Sequence, residues 1–441
     1  MLVFGEDGCE RRKQMNMTRK TFIASAAAAA ITPNLFAGAK RVVKVGAVGC
    51  GWRGDGAIKD IFEAGKLLGV DIRFTAFADF FKDRAAKQCQ KWGIDEKNAF
   101  GGANGYKEVL KSGCDIVILA TPPIFRARHV EACVAAGKHM FVEKPIAPDP
   151  KGVRDFIAAC EKAEAAGLSV VAGTCVRYRR DVMNMRRPIR EGAIGRIVAA
   201  RVNRCQDGLP TYMHLREPGM TNAAYLCNSW YAFLEMSGEL LVDQTLHEQD
   251  LVNWFVGRAP ESAFGQCGRW RRPLGNGCDE IFADFDYGEG LHCSTSARHV
   301  SGCNDINEAV LIGTEGTAVF REGITRYDGK PVTLDDTYDG FKPVQLAERN
   351  VVAEHVDLLQ GYLEGCPVMK WRHVVESTAT CIMGTLAAYT GQKLTMKDIL
   401  DPNPSALMKR LEAPFTAEDF EHTEDVPLPV DGRARFVPGL V

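Results

Sequence analysis

The feature that most constrains the fold is a glycine-rich turn between a strand-like run and a helical stretch. Residues 41–48 read RVVKVGAV, a β-branched run typical of a buried strand, and residues 49–54 (GCGWRG) follow at once. A helical pattern then begins near Ala57. A GxGxxG pattern alone is weak evidence, but one that closes a strand and opens a helix predicts the first unit of a parallel, doubly wound α/β sheet.

Each glycine of this turn has a physical role in binding a dinucleotide. Gly49 permits the tight turn, Gly51 lets the main chain approach a pyrophosphate, and Gly54 allows close contact of helix and strand. The amino end of the following helix offers N–H groups and a positive dipole end to the phosphates. Trp52 and Arg53 belong to the same turn, so we include them among the predicted cofactor-binding residues.

The end of the second strand indicates which dinucleotide is bound. Residues 72–78 form the next strand-like run, and Asp79 follows it. A carboxylate there hydrogen-bonds both ribose hydroxyls and repels a 2′-phosphate, so NAD is predicted, with NADP less favoured because Lys82 and Arg84 are close in sequence. The alternative is that Asp79 only caps the next helix.

Strand and helix patterns alternate as far as residue 173, with buried strand-like runs at 115–120 and 139–142. Repeats of this length predict a parallel sheet whose ligand lies at the carboxyl ends of its strands. Four candidate cofactor-binding residues occupy those ends: Thr121, Pro122, Glu143 and Lys144.

A second group of chemical residues lies on a predicted helix over 240–254. Asp243, His247 and Asp250 have the spacing i, i+4 and i+7, which places an imidazole between two carboxylates on one face and predicts a pKa near neutral. Oxidising a carbinol requires a proton acceptor and a cation that stabilises the developing alkoxide, and Lys144 suits the second role. The alternative is a surface helix with ordinary ion pairs. No zinc-type spacing is present, so no metal is predicted.

These motifs, in this order, resemble the glucose–fructose oxidoreductase / inositol dehydrogenase / rhizopine-catabolism (Gfo/Idh/MocA) family over residues 41–400. The resemblance implies a Rossmann domain followed by an α/β domain with a large open, mostly antiparallel sheet. The motifs are the 49–54 turn, Ala120-Thr121-Pro122-Pro123, Glu143-Lys144-Pro145, Asp243-x-x-x-His247-x-x-Asp250, Ile312-Gly313-Thr314-Glu315-Gly316 and Ala387-Ala388-Tyr389-Thr390-Gly391.

By this resemblance, the chain is an NAD(P)-dependent enzyme that oxidises or reduces a secondary hydroxyl. His247 would be the general base, Asp243 a ligand of the substrate hydroxyl, and Lys144 their partner. The family pattern usually has glycine where this chain has Thr245, which alters how closely substrate approaches that turn.

The substrate-binding residues are less clearly marked. A long connection rich in aromatic residues and arginine precedes the His247 helix, and such loops are commonly functional. Aromatic faces stack on sugars and arginines bind hydroxyls, although core packing or an oligomer contact explains the same residues equally well. The candidates are Arg177, Tyr178, Arg216, Trp230 and Asp250.

The chain divides into four predicted segments. Residues 1–39 resemble a twin-arginine export signal with Arg19-Lys20 before a short apolar run, 40–175 form the NAD-binding domain, 176–411 form the substrate and oligomerisation domain, and 412–441 form an extended tail. Met15 or Met17 would begin a cleaner signal. We therefore predict export to the periplasm, or a cytoplasmic location if the leader is not processed.

Composition narrows the partners. The formal net charge of −2 over 441 residues leaves no basic excess to neutralise a phosphate backbone, so no nucleic-acid partner is predicted, and no membrane span is predicted in the mature chain. We expect a small carbohydrate substrate and a homo-oligomer built through the second sheet. The leading function is oxidation of a sugar, glycoside or cyclitol hydroxyl with NAD; the alternatives are a redox-neutral NAD-dependent glycosidase with tightly bound cofactor, and a non-catalytic sugar-binding protein.

Overall fold

A computed structural model describes residues 41–208, 213–272 and 274–429. The predicted export signal at 1–39 lies outside the described residues. None of the helices within those ranges is long and apolar enough to cross a membrane.

The first sheet has seven strands, all parallel, in the order β14-β6-β5-β4-β1-β2-β3. Its central strand, Ile116–Leu119, is apolar and buried at every residue because helices cover both faces of the sheet. Its strands are β1 (Val42–Val48), β2 (Asp71–Asp79), β3 (Ala99–Gly101), β4 (Ile116–Leu119), β5 (His139–Glu143), β6 (Val170–Gly173) and β14 (Met369–Lys370).

Five helices connect the strands of this sheet in the expected alternation. Pro123 and Pro150 each occupy the first helical position, where a missing N–H costs nothing. The helices are α1 (Trp52–Leu67), α2 (Lys82–Trp92), α3 (Gly105–Lys111), α4 (Pro123–Ala135) and α5 (Pro150–Ala165).

The second sheet has eight strands in the order β13-β12-β11-β7-β10-β9-β8-β15. Within this sheet, β7 and β10 pair in parallel, and the other strand pairs of its described residues are antiparallel. The predicted α/β class, a parallel sheet followed by a large, mostly antiparallel one, is therefore confirmed. The strands are β7 (Ile197–Gln206), β8 (Ser262–Gly268), β9 (Glu280–Asp286), β10 (His292–His299), β11 (Ile306–Gly313), β12 (Gly316–Val319), β13 (Gly323–Arg326) and β15 (Leu394–Thr395).

Helices cover one face of the second sheet and leave the other open. Alternate residues of β9, such as Ile281 and Phe285, are buried beneath this helical layer. The helices of this half are α6 (Arg180–Arg190), α7 (Asn222–Asn228), α8 (Leu234–Ser237), α9 (Leu246–Val256), α10 (Lys342–Leu346), α11 (Asn350–Glu364), α12 (Arg372–Thr390), α13 (Met396–Leu400), α14 (Ala406–Leu411) and α15 (Asp419–His422).

The tail differs from its prediction. Its prolines indicated an extended arm, but the described part, up to residue 429, contains α15 and packs on the first domain. The ring of Phe420 lies 5.0 Å from that of Phe125, and Glu421 accepts hydrogen bonds from Lys107 (2.6 Å) and Arg128 (3.1 Å). Apolar burial and ion pairing therefore hold the segment, and neither leaves a local sequence signal.

Candidate functional site

The glycine turn has the shape that a dinucleotide requires. Gly49 has a φ of +93°, and a Cβ there would lie 2.5 Å from the Ala120 carbonyl oxygen. A Cβ on Gly54 would lie 1.9 Å from the Gly49 oxygen, whereas one on Gly51 would meet nothing within 4 Å. No side chain caps the amino end of α1. The open cradle at Gly51 beside an uncapped helix fits a pyrophosphate.

Asp79 lies beside this cradle at the end of β2. Its carboxylate accepts hydrogen bonds from the main-chain N–H groups of Cys50 (2.8 Å) and Phe81 (3.0 Å), and Arg84 lies 3.8 Å away. Burial raises the pKa of Asp79. Asp79 therefore stabilises the glycine turn through these hydrogen bonds. It also lies at the strand end where Rossmann domains bind the adenosine ribose.

Trp52 and Arg53 occupy different surroundings. Trp52 is 74% exposed on the first turn of α1. Arg53 donates to Glu143 (2.6 Å) and Asp60 (2.9 Å), so two of the predicted cofactor-binding residues form an ion pair with each other. This ion pair links the glycine turn, through Arg53, to Glu143 at the end of β5.

Sequence reasoning missed the residue that fixes the two strand ends. The buried side chain of Arg126 donates to the Thr121 carbonyl (2.8 Å) and also to the carbonyl of Pro145, after a cis Lys144–Pro145 bond. Burial lowers the pKa of Arg126 to about 10. The only signal was a basic residue in the otherwise apolar first turn of the helix that begins at Pro123.

Lys144 and Asp243 are brought together from the two halves of the chain. The Lys144 ammonium lies 3.8 Å from Asp243 Oδ1 and donates to the main-chain carbonyl of the same residue. The Gln244 amide donates to Asp243 Oδ2 at 2.6 Å. Asp243 lies in a π-helical turn, Leu241–Thr245, and such turns occur frequently at functional sites.

His247 follows this turn, and its environment differs from the predicted one. Its partly buried ring leaves Nδ1 without a hydrogen-bond partner among the described residues. Burial, and then the charges of Lys144 and Arg204, lower its pKa well below the usual range. The prediction of a near-neutral pKa between two carboxylates was therefore wrong, because burial and then the charges of nearby cations disfavour the protonated ring; the imidazole is neutral at pH 7.

Asp250 is buried and forms hydrogen bonds with other side chains of the protein. It accepts two hydrogen bonds from Arg177, at 2.7 and 2.9 Å, and one from Ser377 at 2.5 Å, with no side-chain exposure. The Arg177 guanidinium also lies 4.9 Å from the Trp254 ring centre. The structure therefore brings these two predicted substrate residues together as a buried ion pair.

The other three predicted substrate residues do not join the Lys144 group. Tyr178 is buried and its hydroxyl donates to Asp357 at 2.8 Å. Arg216 is exposed and donates to the Met220 carbonyl of its own loop. Trp230 packs edge-on against Tyr231, 5.6 Å between ring centres.

Tyr231 and His299 are functional candidates that sequence reasoning missed. Tyr231 is fully buried, and its hydroxyl shares a 2.7 Å hydrogen bond with His299 Nδ1. Burial, followed by the charges of Arg272 and Arg204, lowers the pKa of His299 to about 3. The charge of Lys144 contributes to the same lowering of the His299 pKa. His299 ends β10, and only its position at a strand end could have marked it.

A glycine cradle at the end of the first parallel strand, with a lysine, an aspartate and a histidine gathered from both halves, defines a two-domain nucleotide-dependent oxidoreductase. The chain belongs to the Gfo/Idh/MocA family. Residues 43–171 match its model for the oxidoreductase NAD-binding Rossmann fold, and residues 182–319 match a model for its C-terminal domain. The predicted family and its cofactor, NAD, are thereby confirmed.

Named relatives resemble parts of the chain. A scyllo-inositol 2-dehydrogenase (NAD(+)) of Bacillus subtilis (strain 168) is 24% identical over 254 residues, 56% of this chain and 65% of the relative. A glycosyl hydrolase family 109 protein of Shewanella sp. (strain ANA-3) is 29% identical over 161 residues, 35% of this chain and 34% of the relative. The matched segments thus span less than two thirds of either relative's length.

Solved structures share the fold over a greater length. The WlbA dehydrogenase of Bordetella pertussis, determined with NADH and UDP-GlcNAcA, superimposes with a TM-score of 0.64 at 20% identity, covering 80% of this chain and 99% of the other. At this identity the likeness concerns the fold.

Proposed function

We propose that the chain transfers a hydride from a secondary hydroxyl of a sugar, glycoside or cyclitol to NAD. The observation that carries this proposal is the group formed by Lys144, Asp243 and the partly buried His247, at the carboxyl end of β5. The open cradle at Gly51 belongs to the same sheet edge. Parallel sheets bind their ligands at this edge.

The side chains divide the chemistry between them. NAD, when bound, supplies the hydride acceptor. His247 is neutral at pH 7 because its pKa is depressed, so it can accept the hydroxyl proton. Lys144 supplies a positive charge to the oxygen that becomes negative as the proton leaves. Asp243 holds the Lys144 ammonium and has a carboxylate oxygen 3.8 Å from it.

A second function is a redox-neutral, NAD-dependent glycosidase with a tightly bound cofactor. The similarity of a 161-residue segment of the chain to a glycosyl hydrolase family 109 protein supports it. Such a reaction requires the same proton acceptor and the same cation, and differs in that no reduced cofactor accumulates. The intact Lys144 group argues against a non-catalytic sugar-binding protein.

One experiment separates these functions. The purified protein is assayed for retained nicotinamide, then incubated with NAD and a panel of sugars, cyclitols and aryl glycosides while NADH and released aglycone are followed together. Hydride transfer gives NADH without cleavage, and the glycosidase gives aglycone without net NADH. Neither signal, with no bound nucleotide, would contradict both functions.

We further propose that residues 1–39 direct export through a twin-arginine-like route to the periplasm. Thirteen of the described cysteines are free thiols and ten of them are buried, which suits a chain that folds in a reducing compartment before it is exported. Amino-terminal sequencing of protein recovered from periplasm should begin after Ala39. Full-length protein confined to the cytoplasm would contradict the proposal.

We also propose that the chain consists of two domains, residues 40–175 and 176–411. We further propose that it forms a homo-oligomer through the second sheet. The open sheet face carries Phe264 on β8 and Phe282 on β9, which are 55% and 43% exposed. Apolar side chains on an open sheet face favour association. Light scattering should give a multimer, and Phe264→Asp should dissociate it without loss of bound NAD.

A further inference from the structure

A ligand-sized cavity lies at the end of α9 that is farther from the Lys144 group. Its volume is about 490 Å³, which is within the range of small-molecule sites. It forms where the carboxyl ends of α6 and α9 meet the beginnings of β7 and β10. Trp254, in its wall, lies seven residues beyond His247 on α9, about 10 Å along the helix axis. The cavity is therefore separate from the site proposed for hydride transfer.

The wall of this cavity is strongly cationic. It contains one carboxylate, Glu289, and four arginines: Arg186, Arg190, Arg196 and Arg258. The whole chain has a formal net charge of −2, so this concentration of positive charge is local. The carboxyl ends of α6 and α9 each contribute a partial negative charge of about one half, which does not neutralise four guanidinium groups. The cavity therefore attracts anions.

Two of these arginines, Arg196 and Arg258, have no carboxylate partner among the residues that the structure describes. The side chain of Arg258 donates to a main-chain carbonyl at 3.0 Å, which leaves its charge uncompensated. Both residues are exposed. By contrast, Arg186 and Arg190 share the carboxylate of Asp339, at 3.3 and 3.5 Å. The guanidinium groups of Arg196 and Arg258 are therefore accessible to the oxygen atoms of an anion that enters the cavity.

The rest of the wall indicates that such an anion has an apolar part. Several wall residues are apolar or aromatic, among them Ile189, Ile197, Trp254, Phe255 and Leu291. The Arg186 guanidinium lies 5.5 Å from the centre of the Trp254 ring, so a cation and an aromatic ring stand side by side in the wall. An inorganic ion alone would leave the apolar wall in contact with water, whereas an organic anion covers both kinds of surface.

We propose that this cavity is a second ligand site, which binds a small organic anion. Arg196 and Arg258 bind its acidic group, and Phe255 and Leu291 contact its apolar part. Phosphate and carboxylate groups both present the charged oxygen atoms that guanidinium groups bind, so the acidic group is one of these two. The site does not depend on hydride transfer at His247.

The test uses three probes that share one apolar body: naphthyl phosphate, naphthoate and the neutral naphthol. Each is titrated by calorimetry into the full-length protein saturated with NAD, so that the cradle at Gly51 is already filled. The better of the two anions should bind about tenfold or more tightly than naphthol, and their order identifies the preferred acidic group. Inorganic phosphate should bind more weakly than naphthyl phosphate because it buries no apolar surface.

Variants of the wall locate the binding. Arg196→Gln and Arg258→Gln should each weaken binding of the better anion about tenfold, with little change for naphthol and none in NAD affinity. Glu289→Gln removes the one carboxylate of the wall and should tighten anion binding about two- to fivefold. Arg73→Gln is the control, because Arg73 is an exposed arginine of β2 that is paired with Asp71; its anion affinity should equal that of the native protein.

Two results would overturn the proposal. The first is equal binding of the anions and naphthol, or anion binding that neither arginine variant weakens. The second is dissociation of a multimer by Arg196→Gln or Arg258→Gln in light scattering, which would assign the cavity to a contact between subunits.

Discussion

The ammonium group of Lys144 lies 3.8 Å from the carboxylate of Asp243 and donates a hydrogen bond to the main-chain carbonyl of the same residue. One residue of the second domain thus holds the lysine of the first domain in two ways. The π-helical turn that contains Asp243 leads directly into the helix of His247. The position of the cation and that of the proton acceptor are consequently set by one short segment.

Removing either Lys144 or His247 should abolish activity without releasing the cofactor. We expect Lys144→Ala and His247→Ala each to lower kcat by about 10²–10⁴-fold, since each supplies charge or proton transfer in the transition state. The affinity for NAD, measured by fluorescence titration, should change little. Lys151→Ala is the control, because Lys151 is an exposed lysine paired with Asp155. A fully active double variant would reject this site.

Two glycines of the turn should respond oppositely to substitution. Gly51 has a backbone conformation open to other residues, with free space where a Cβ would stand, so Gly51→Val should leave the melting temperature of the free protein unchanged. The same change should weaken NAD binding at least about tenfold because it fills the cradle. Gly54→Ala would place its Cβ 1.9 Å from the Gly49 oxygen and should destabilise the fold by about 1–3 kcal/mol. Calorimetric melting and NAD titration distinguish the two; equal melting losses would contradict the assignment.

Asp250 should behave as a structural residue. Asp250→Asn breaks its buried pair with Arg177, which should cost about 3–5 kcal/mol in the free energy of unfolding. The exposed Asp155→Asn should cost about 1 kcal/mol or less. Urea unfolding measures both. Unchanged stability together with a raised KM would favour the substrate role that the spacing predicted.

His355 should make the protein sensitive to acid. It is fully buried with neither ring nitrogen hydrogen-bonded within the described ranges, and burial, followed by the charge of Arg53, lowers its pKa well below the usual range. The folded state therefore keeps the ring neutral, while the unfolded chain gains a proton below about pH 6.5. Stability is retained above that pH and falls as the pH drops, by up to about 1.4 kcal/mol per unit for this group.

His355→Phe should remove that contribution. Its stability relative to the native protein should rise by about 2 kcal/mol between pH 6.5 and pH 5, as measured by urea unfolding at both values. The phenyl ring can take the place of the imidazole 4.1 Å from Phe141. If both proteins lost stability in parallel across this range, buried His355 would not contribute to acid sensitivity.

Much of the nucleotide half could be predicted from sequence because its signals are local. The turn after β1 is recognisable because its backbone requires glycine at fixed positions. Lys144 is recognisable because it directly follows β5, whose apolar residues predict a strand. The helix of His247 was also predicted. The direction in which each side chain of this helix points was not predicted, because a regular period of 3.6 residues cannot anticipate the π-helical turn before it.

The remaining differences come from contacts between distant segments. Arg177 and Asp250 are 73 residues apart, and nothing in either neighbourhood indicates that they pair. Arg126 acts on the carbonyls of two strand ends, and Tyr231 meets His299 from a different element.

The sequence by itself determined the class of fold, the family and the identity of the lysine, aspartate and histidine, because glycine placement, strand periodicity and motif order are written in local residues. Only the tertiary structure decided which polar side chains find a hydrogen-bond partner. Asp250 pairs with Arg177, whereas Arg204, Arg272 and His299 each keep one buried nitrogen that has no hydrogen-bond partner among the described residues. Whether a polar group is satisfied depends on all the atoms that pack around it, and those atoms come from every part of the chain.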